Sequence, residues 1–267
     1  MQNWQSVVTS QPFGMVFDID GTLSPIAPTP DEARLFPGVV SLLEQARHLA
    51  HVAIMTGRAI DNGAAMVNVE DLTYIGSHGL EWSEGLPANH TVQISAEAME
   101  YIEPCQQLLT LAEQQLADLP GILVERKNIG GAIHYRRSPD PEQARKTILA
   151  RLEQPARTDH LRLSEGKRVV EVKTPLAVNK GRALRTFVEH FALRGILFAG
   201  DDRTDLDAIL EIERLRQEGL AAVAIVVQHA DTPPELLEHA DVIVQEVDGM
   251  VHLLAEIVQK LTDQHQQ

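Results

Sequence analysis

The chain has 267 residues, 44% of them hydrophobic, and a formal net charge of −15. That length suits one large domain or two modest ones, and the apolar content excludes a disordered chain. The charge argues against nucleic acid and against an anionic membrane surface, since both call for clustered Lys and Arg.

Cys105 is the single cysteine, which excludes an intrachain disulfide and a cysteine-based zinc site. The opening MQNWQSVVTSQPF has no basic or apolar signal region, and no apolar run approaches the ~20 residues of a spanning helix, so a cytoplasmic location is expected. Phe13 to Pro25 reads FGMVFDIDGTLSP. Its apolar part is a short buried strand that stops at Asp18, Ile19, Asp20, Gly21 and Thr22. Side chains alternate along a strand, so Asp18 and Asp20 project to the same side. Two adjacent carboxylates repel, and a divalent cation or a proton on one of them relieves the repulsion. A solvated Asp-Gly turn is the other reading of the same residues.

A Pro-rich loop and a helix over Val39 to Leu49 follow. The second strand, HVAIM, stops at Thr56, with Gly57 and Arg58 behind it. After a weak helix, LTYIGSHGLEW holds a third strand ending near Ser77 and His78. The alternation of strand and helix predicts right-handed crossovers and a parallel sheet, an α/β architecture. From about Pro87 the rhythm changes. A long helix over Ala96 to Leu119 leads into a hairpin of GILVERK and GGAIHYRR. A helix over Pro141 to Leu152 leads into a hairpin of LRLSEG and KRVVEVK. Neighbouring strands there pair antiparallel, so residues 87–175 read as an α+β module inserted into a core made of 1–86 and 176–267. In the second core segment a helix starts at Lys180. GILFAG then runs into Asp201 and Asp202, two more apolar strands follow, and a helix over Gly249 to Leu261 closes the chain.

Three apolar strands thus end in polar groups: Asp18 with Asp20, Thr56 with Gly57, and Asp201 with Asp202. In an open parallel sheet ligands bind at the carboxyl ends of the strands, so these residues build one pocket. Carboxylates without His or Cys suit a hard cation, Mg²⁺ rather than Zn²⁺. One carboxylate can attack phosphorus and its neighbour can move the proton. Thr56 offers a hydroxyl and Gly57 an N–H to the phosphoryl oxygens. Lys180 sits at a helix start, where the macrodipole disfavours a positive charge and a bound anion reverses that penalty; an exposed surface lysine is the plain alternative. Asp201 is the metal residue nearest the strand end, with Asp202 behind it. The later acids, Asp205 and Asp207, fall in a first helical turn, where acids are favoured anyway.

The D-x-D-G-T of Asp18 to Thr22, with Thr56, Lys180 and the GDD of Gly200 to Asp202, resembles the four signature motifs of haloacid dehalogenase-type phosphatases. The resemblance implies a Rossmann-like core with an inserted type-IIB cap. It gives Asp18 the role of nucleophile, Asp20 that of acid/base, and Thr56 and Lys180 that of phosphate holders. It implies Mg²⁺ held by Asp18, by Asp20 through its backbone carbonyl and by Asp201; Asp202, behind Asp201, is counted with the metal residues from its place at the strand end. DGTLSPI, the TGR of Thr56 to Arg58, GSHGLE, VERK with HYR, and EVKTPLAVNKG together resemble the trehalose-6-phosphate phosphatase family over nearly the whole chain. That implies hydrolysis of trehalose 6-phosphate through an aspartyl-phosphate. The expected partner is a small-molecule sugar phosphate, with neither nucleic acid nor membrane, and the expected state is a monomer. Substrate contacts would come from Gly57, Arg58, His78, Glu125, Lys127, Arg136 and Glu171. One departure is Thr56, where Ser is common; either hydroxyl can donate. Glu125 and Lys127 share a strand face with Arg136 on the paired strand, which suits sugar hydroxyls or, equally, a solvated face of cross-strand ion pairs. Another sugar phosphate, such as sucrose phosphate, and a phosphosugar-binding regulator with little turnover remain as alternatives.

Overall fold

The computed structural model describes residues 4–27, 32–166, 168–176 and 179–266. The chain divides into two compact units, one made of 1–93 with 178–267 and the other of 94–177. The first core segment carries α1 (Trp4–Val7), β1 (Phe13–Phe17), α2 (Val39–Ala46), β2 (His51–Met55), α3 (Ile60–Val67), β3 (Thr73–Gly76), β4 (Glu81–Glu84) and β5 (Gln93–Ile94). The smaller unit carries α4 (Ala96–Gln115), β6 (Leu123–Arg126), β7 (Gly131–His134), α5 (Pro141–Thr158), β8 (Arg162–Gly166) and β9 (Val169–Lys173). The second core segment adds α6 (Lys180–His190), β10 (Gly195–Gly200), α7 (Leu206–Gln217), β11 (Ala221–Gln228), α8 (Pro234–Glu238), β12 (Val242–Gln245) and α9 (Glu246–His265).

The core sheet has the order β12-β11-β10-β1-β2-β3-β4-β5. From β12 to β3 all neighbours pair in parallel. The strand β1 lies between β10 and β2 and is buried along its whole length. Period-two alternation sends Phe13, Met15 and Phe17 to the face covered by α2, α3 and α9, and Val16 to the face covered by α6 and α7. Fully burying each of those large side chains contributes roughly 1.5–3 kcal/mol, so the strand is anchored from both sides and its carboxyl end is a fixed platform.

The third strand ends at Gly76, beside the expected Ser77 and His78, and the expected core boundary at Pro87 is corrected. Ser77, His78 and Gly79 take φ values of 49°, 56° and 108°, which turn the chain, and β4 returns antiparallel to β3. The sheet is therefore mostly parallel with an antiparallel edge. The core runs beyond Pro87 to residue 93, because Leu86 and Val92 pack against its apolar cluster.

The smaller unit is a four-stranded antiparallel sheet in the order β6-β7-β9-β8. Val124, Ile133, Tyr135, Val170 and Val172 face α4 and α5 through Leu108, Leu109, Ile148 and Leu152. The intervening residues of each strand form the opposite, polar face. The helix α5 continues through Pro155 to Thr158, past the expected end at Leu152. Among the described residues no helix is long and apolar enough to cross a membrane.

Candidate active site

The site grows from the carboxyl ends of β1 and β10. Asp18 follows β1 directly, its N–H donates to the Ala199 carbonyl of β10 at 3.0 Å, and its side chain is buried. Asp201 follows β10 and is also buried. Lys180, the first residue of α6, is only 2% exposed. The Asn179 side chain caps that helix by accepting from the Arg182 N–H at 2.9 Å, which fixes where the lysine emerges. The Lys180 Nζ donates to Asp18 Oδ1 at 2.6 Å and to Asp205 Oδ1 at 2.6 Å. The other oxygen of Asp205 accepts from the N–H groups of Asp201 at 3.0 Å and Asp202 at 3.1 Å.

Asp18, Asp201 and Asp205 are all buried, and their carboxylate oxygens lie within 4.8 Å of one another. Burial pushes the Asp201 carboxyl up to about 9, with Asp18 and Asp205 adding to the rise. Burial pushes Asp18 up to about 7 against the pull of Lys180, with Asp205 adding to it. Burial also raises Asp205. For Lys180 burial works against the charge, but Asp18 and Asp205 outweigh it and the ammonium stays protonated. Three buried carboxyls against one ammonium cannot all ionise unless a further cation joins them, and the donor set is all oxygen. Both features fit a hard divalent cation. Both oxygens of Asp205 already accept, so Asp18 and Asp201 are the better ligands and Asp205 the one that orients them.

The remaining core residues sort around this cluster. Gly21 has φ 87°, and a Cβ there would stand 2.0 Å from Asp201 Oδ2. Only glycine lets the turn press this closely on Asp201. Thr22 Oγ1 donates to Asp201 Oδ1 at 3.3 Å. The Asp20 carboxylate is not one of the cluster and is held by Arg58, whose Nε and Nη2 each donate to one oxygen at 2.6 Å. Thr56 is buried, and its hydroxyl oxygen accepts from the Arg58 N–H at 3.1 Å. The His78 ring covers Gly57 so closely that a Cβ there would lie 2.5 Å from it. Asp202 corrects an expectation. Its carboxylate is not in the cluster but accepts from the N–H and Oγ1 of Thr204, at 2.7 and 2.6 Å, capping the turn that carries Asp205. Asp205 occupies the place in the cluster expected for Asp202.

The polar face of the smaller unit carries Glu125, Lys127, His134, Ser164, Glu171 and Lys173. His134 Nε2 lies 2.8 Å from Glu125 Oε2. Lys173 approaches Glu171 Oε2 to 2.6 Å and Lys127 stands 4.0 Å from its Oε1, while Ser164 Oγ donates to Oε2 at 3.3 Å. Burial opposes the charge of Glu171, but the bond and charge of Lys173 outweigh it and hold that carboxyl low. Arg136 lies outside this set: β7 ends at His134, so Arg136 falls in the turn beyond the strand and is exposed.

Sequence reasoning missed Asp205, Glu81 and the pairing of His134. Glu81 is completely buried, and its Oε2 accepts from the Ile60 N–H at 3.0 Å and from Ser77 Oγ at 2.7 Å. It ties the turn bearing His78 to the start of α3. The available signal for Asp205 was its spacing four residues after Asp201, one helical turn back toward the strand end.

A family model for trehalose-phosphatase matches residues 16–236. A trehalose-phosphate phosphatase of Mycobacterium avium is 31% identical over 220 residues, covering 80% of this chain and 54% of that protein. One of Mycobacterium marinum is 32% identical over 218 residues, covering 80% of this chain and 53% of that protein. The chain therefore spans about half the length of the curated relatives it matches. A crystal structure of a trehalose-6-phosphate phosphatase related protein superposes with a TM-score of 0.71 at 23% identity, over 94% of this chain and 99% of that one. The C-terminal domain of a Candida albicans trehalose-6-phosphate phosphatase gives 0.67 at 18% identity, over 97% of each chain. At these identities the two structures speak for the fold.

Proposed function

The chain belongs to the trehalose-phosphatase family, and on that premise we propose that it hydrolyses trehalose 6-phosphate to trehalose and inorganic phosphate through an aspartyl-phosphate on Asp18. The family implies a divalent metal; we take it to be Mg²⁺, held by Asp18, Asp201 and the backbone carbonyl of Asp20. The observation that carries the reading is the buried Asp18–Lys180–Asp205 bridge, with Asp201 beside it, at the carboxyl ends of β1 and β10.

A carboxylate oxygen of Asp18 attacks the phosphorus and the bond to the sugar oxygen breaks. Asp20 gives a proton to that leaving oxygen. Asp20 then takes a proton from water, which attacks the acyl phosphate and releases phosphate, so both carboxyls return to their starting forms. For the first transfer the Arg58 guanidinium has to part from Asp20, and the anionic substrate is the natural partner that draws it away. Lys180 keeps the Asp18 carboxylate oriented, and the N–H of Gly57 and the Thr56 hydroxyl face the phosphoryl oxygens. A bound Mg²⁺ supplies the charge that lets the carboxylates and the phosphate share one site.

On the smaller unit, Glu125, Lys127 and Glu171 are the proposed sugar-binding residues, with Arg136 and the core residue His78 as the outlying members. Their support is the paired polar face, in which each acid stands against a base. The decisive experiment is phosphate release from a panel of sugar phosphates by the purified protein with Mg²⁺. Trehalose 6-phosphate should give the highest kcat/KM. Preference for sucrose phosphate would redirect the specificity, and no release from any ester would overturn the enzymatic reading.

A further inference from the structure

One histidine of the core touches the catalytic turn without belonging to any of its motifs. His229 follows β11, and its side chain is 9% exposed. Its backbone N–H donates to Thr232 Oγ1 at 2.8 Å, which fixes where the ring starts. Nε2 lies 2.6 Å from the carbonyl oxygen of Gly21, and Nδ1 lies 2.7 Å from Glu246 Oε2. A backbone carbonyl can only accept, so Nε2 carries the hydrogen. Nε2 also stands 3.9 Å from Asp201 Oδ2.

Gly21 is the pivot of the turn after Asp20. Its N–H donates to the Ser24 carbonyl at 2.7 Å, and its α-carbon presses on Asp201. Its carbonyl belongs to the next peptide, whose Thr22 N–H donates to the Ile19 carbonyl at 3.2 Å, and the His229 bond holds the carbonyl side of that peptide. A histidine that merely fastened the end of β11 to α9 would need its bond to Glu246 and nothing more. The ring instead reaches the carbonyl of the turn as well, with Nε2 3.9 Å from Asp201 Oδ2.

We propose that His229 is a positioning residue for phosphoryl transfer: by holding the Gly21 carbonyl, it sets the Asp20–Gly21 turn against Asp201. The catalytic consequence rests on the phosphatase reading above; the hydrogen bond and its effect on the turn do not.

Two variants separate the roles of the ring. His229→Phe keeps the volume and removes the donor, and His229→Gln keeps a donor at nearly the reach of Nε2. The phenylalanine variant should lower kcat for trehalose 6-phosphate about tenfold with KM changed less than about twofold, as a mis-set reacting group does. The glutamine variant should recover most of that loss. Without substrate or metal, amide hydrogen exchange over residues 18–24 should be about tenfold faster than wild type in His229→Phe and close to wild type in His229→Gln. Should the phenylalanine variant not fold, His229→Leu replaces it in both measurements. Wild-type kcat and exchange in the variant lacking the donor would overturn the proposal, as would a glutamine variant impaired as fully as the phenylalanine one. A wild-type chain that releases no phosphate sinks the phosphatase reading instead, and the exchange rates still decide whether His229 holds the turn.

Discussion

Lys180 neutralises less charge than surrounds it, and that imbalance governs what its removal does. It is 2% exposed and bridges two carboxylates. Lys180→Met leaves buried acids without their cation, and losing one member of a buried pair costs roughly 3–5 kcal/mol. Urea unfolding at pH 7.5 without metal should show a loss of that order. The loss should shrink at pH 5.5, where the acids carry protons. Asp18→Asn removes the nucleophile but keeps the shape and relieves repulsion with Asp205. It should fold at wild-type stability or above and retain less than about a thousandth of wild-type kcat. Turnover near wild type would show that another group attacks. At this scale the sequence exposed Asp18, Asp20, Thr56, Lys180 and Asp201 because each stands at a strand or helix end. Asp205 was hidden, since acids in a first helical turn are common for dipole reasons alone, and only its burial separates it from the exposed Asp207.

Among the elements, the turn between β3 and β4 places Gly57 beneath His78, and Glu81 holds that turn. Glu81→Ala leaves the Ile60 N–H unpaired in the core, which should cost about 1–3 kcal/mol in thermal or urea unfolding. Glu81→Gln keeps an acceptor and should cost less. The alternation of apolar strands and helices made the parallel sheet legible, and the antiparallel block stood out against it. The end of β3 near Ser77 and His78 was legible, but the antiparallel return of β4 was not, because the turn's left-handed residues include Ser77 and His78 rather than glycine alone. Nor was the true end of α5, since a proline at 155 reads as a stop. On the smaller sheet the shared face of Glu125 and Lys127 followed from strand periodicity, but the end of β7 before Arg136 did not. Lys127→Ala should therefore lower kcat/KM for trehalose 6-phosphate at least tenfold while changing that for a small generic phosphate ester less than about twofold. Equal losses on both would remove Lys127 from sugar recognition.

For the whole molecule, the acid cluster ties stability to both pH and metal. The unfolded chain releases the Asp201 proton near its ordinary value of 3.8, whereas the folded protein holds it to about 9. Asp18 behaves likewise up to about 7. Between those limits the folded state binds more protons than the unfolded one, so stability falls as pH rises, and below the lower limit the difference vanishes. With a chelator present, Tm should therefore drop between pH 5 and pH 8. A divalent cation binds the ionised cluster and not the unfolded chain, so at a hundred times its Kd it adds about 2.7 kcal/mol. Because binding requires the carboxylates to be ionised, that gain grows with pH and should flatten the slope. Mg²⁺ and Mn²⁺ should both raise Tm at pH 8, with a much smaller effect at pH 5. The Asp201→Asn variant should lose most of the metal response and most of the pH slope together. A metal-induced rise of the same size at both pH values, or one that survives Asp201→Asn, would place the cation elsewhere.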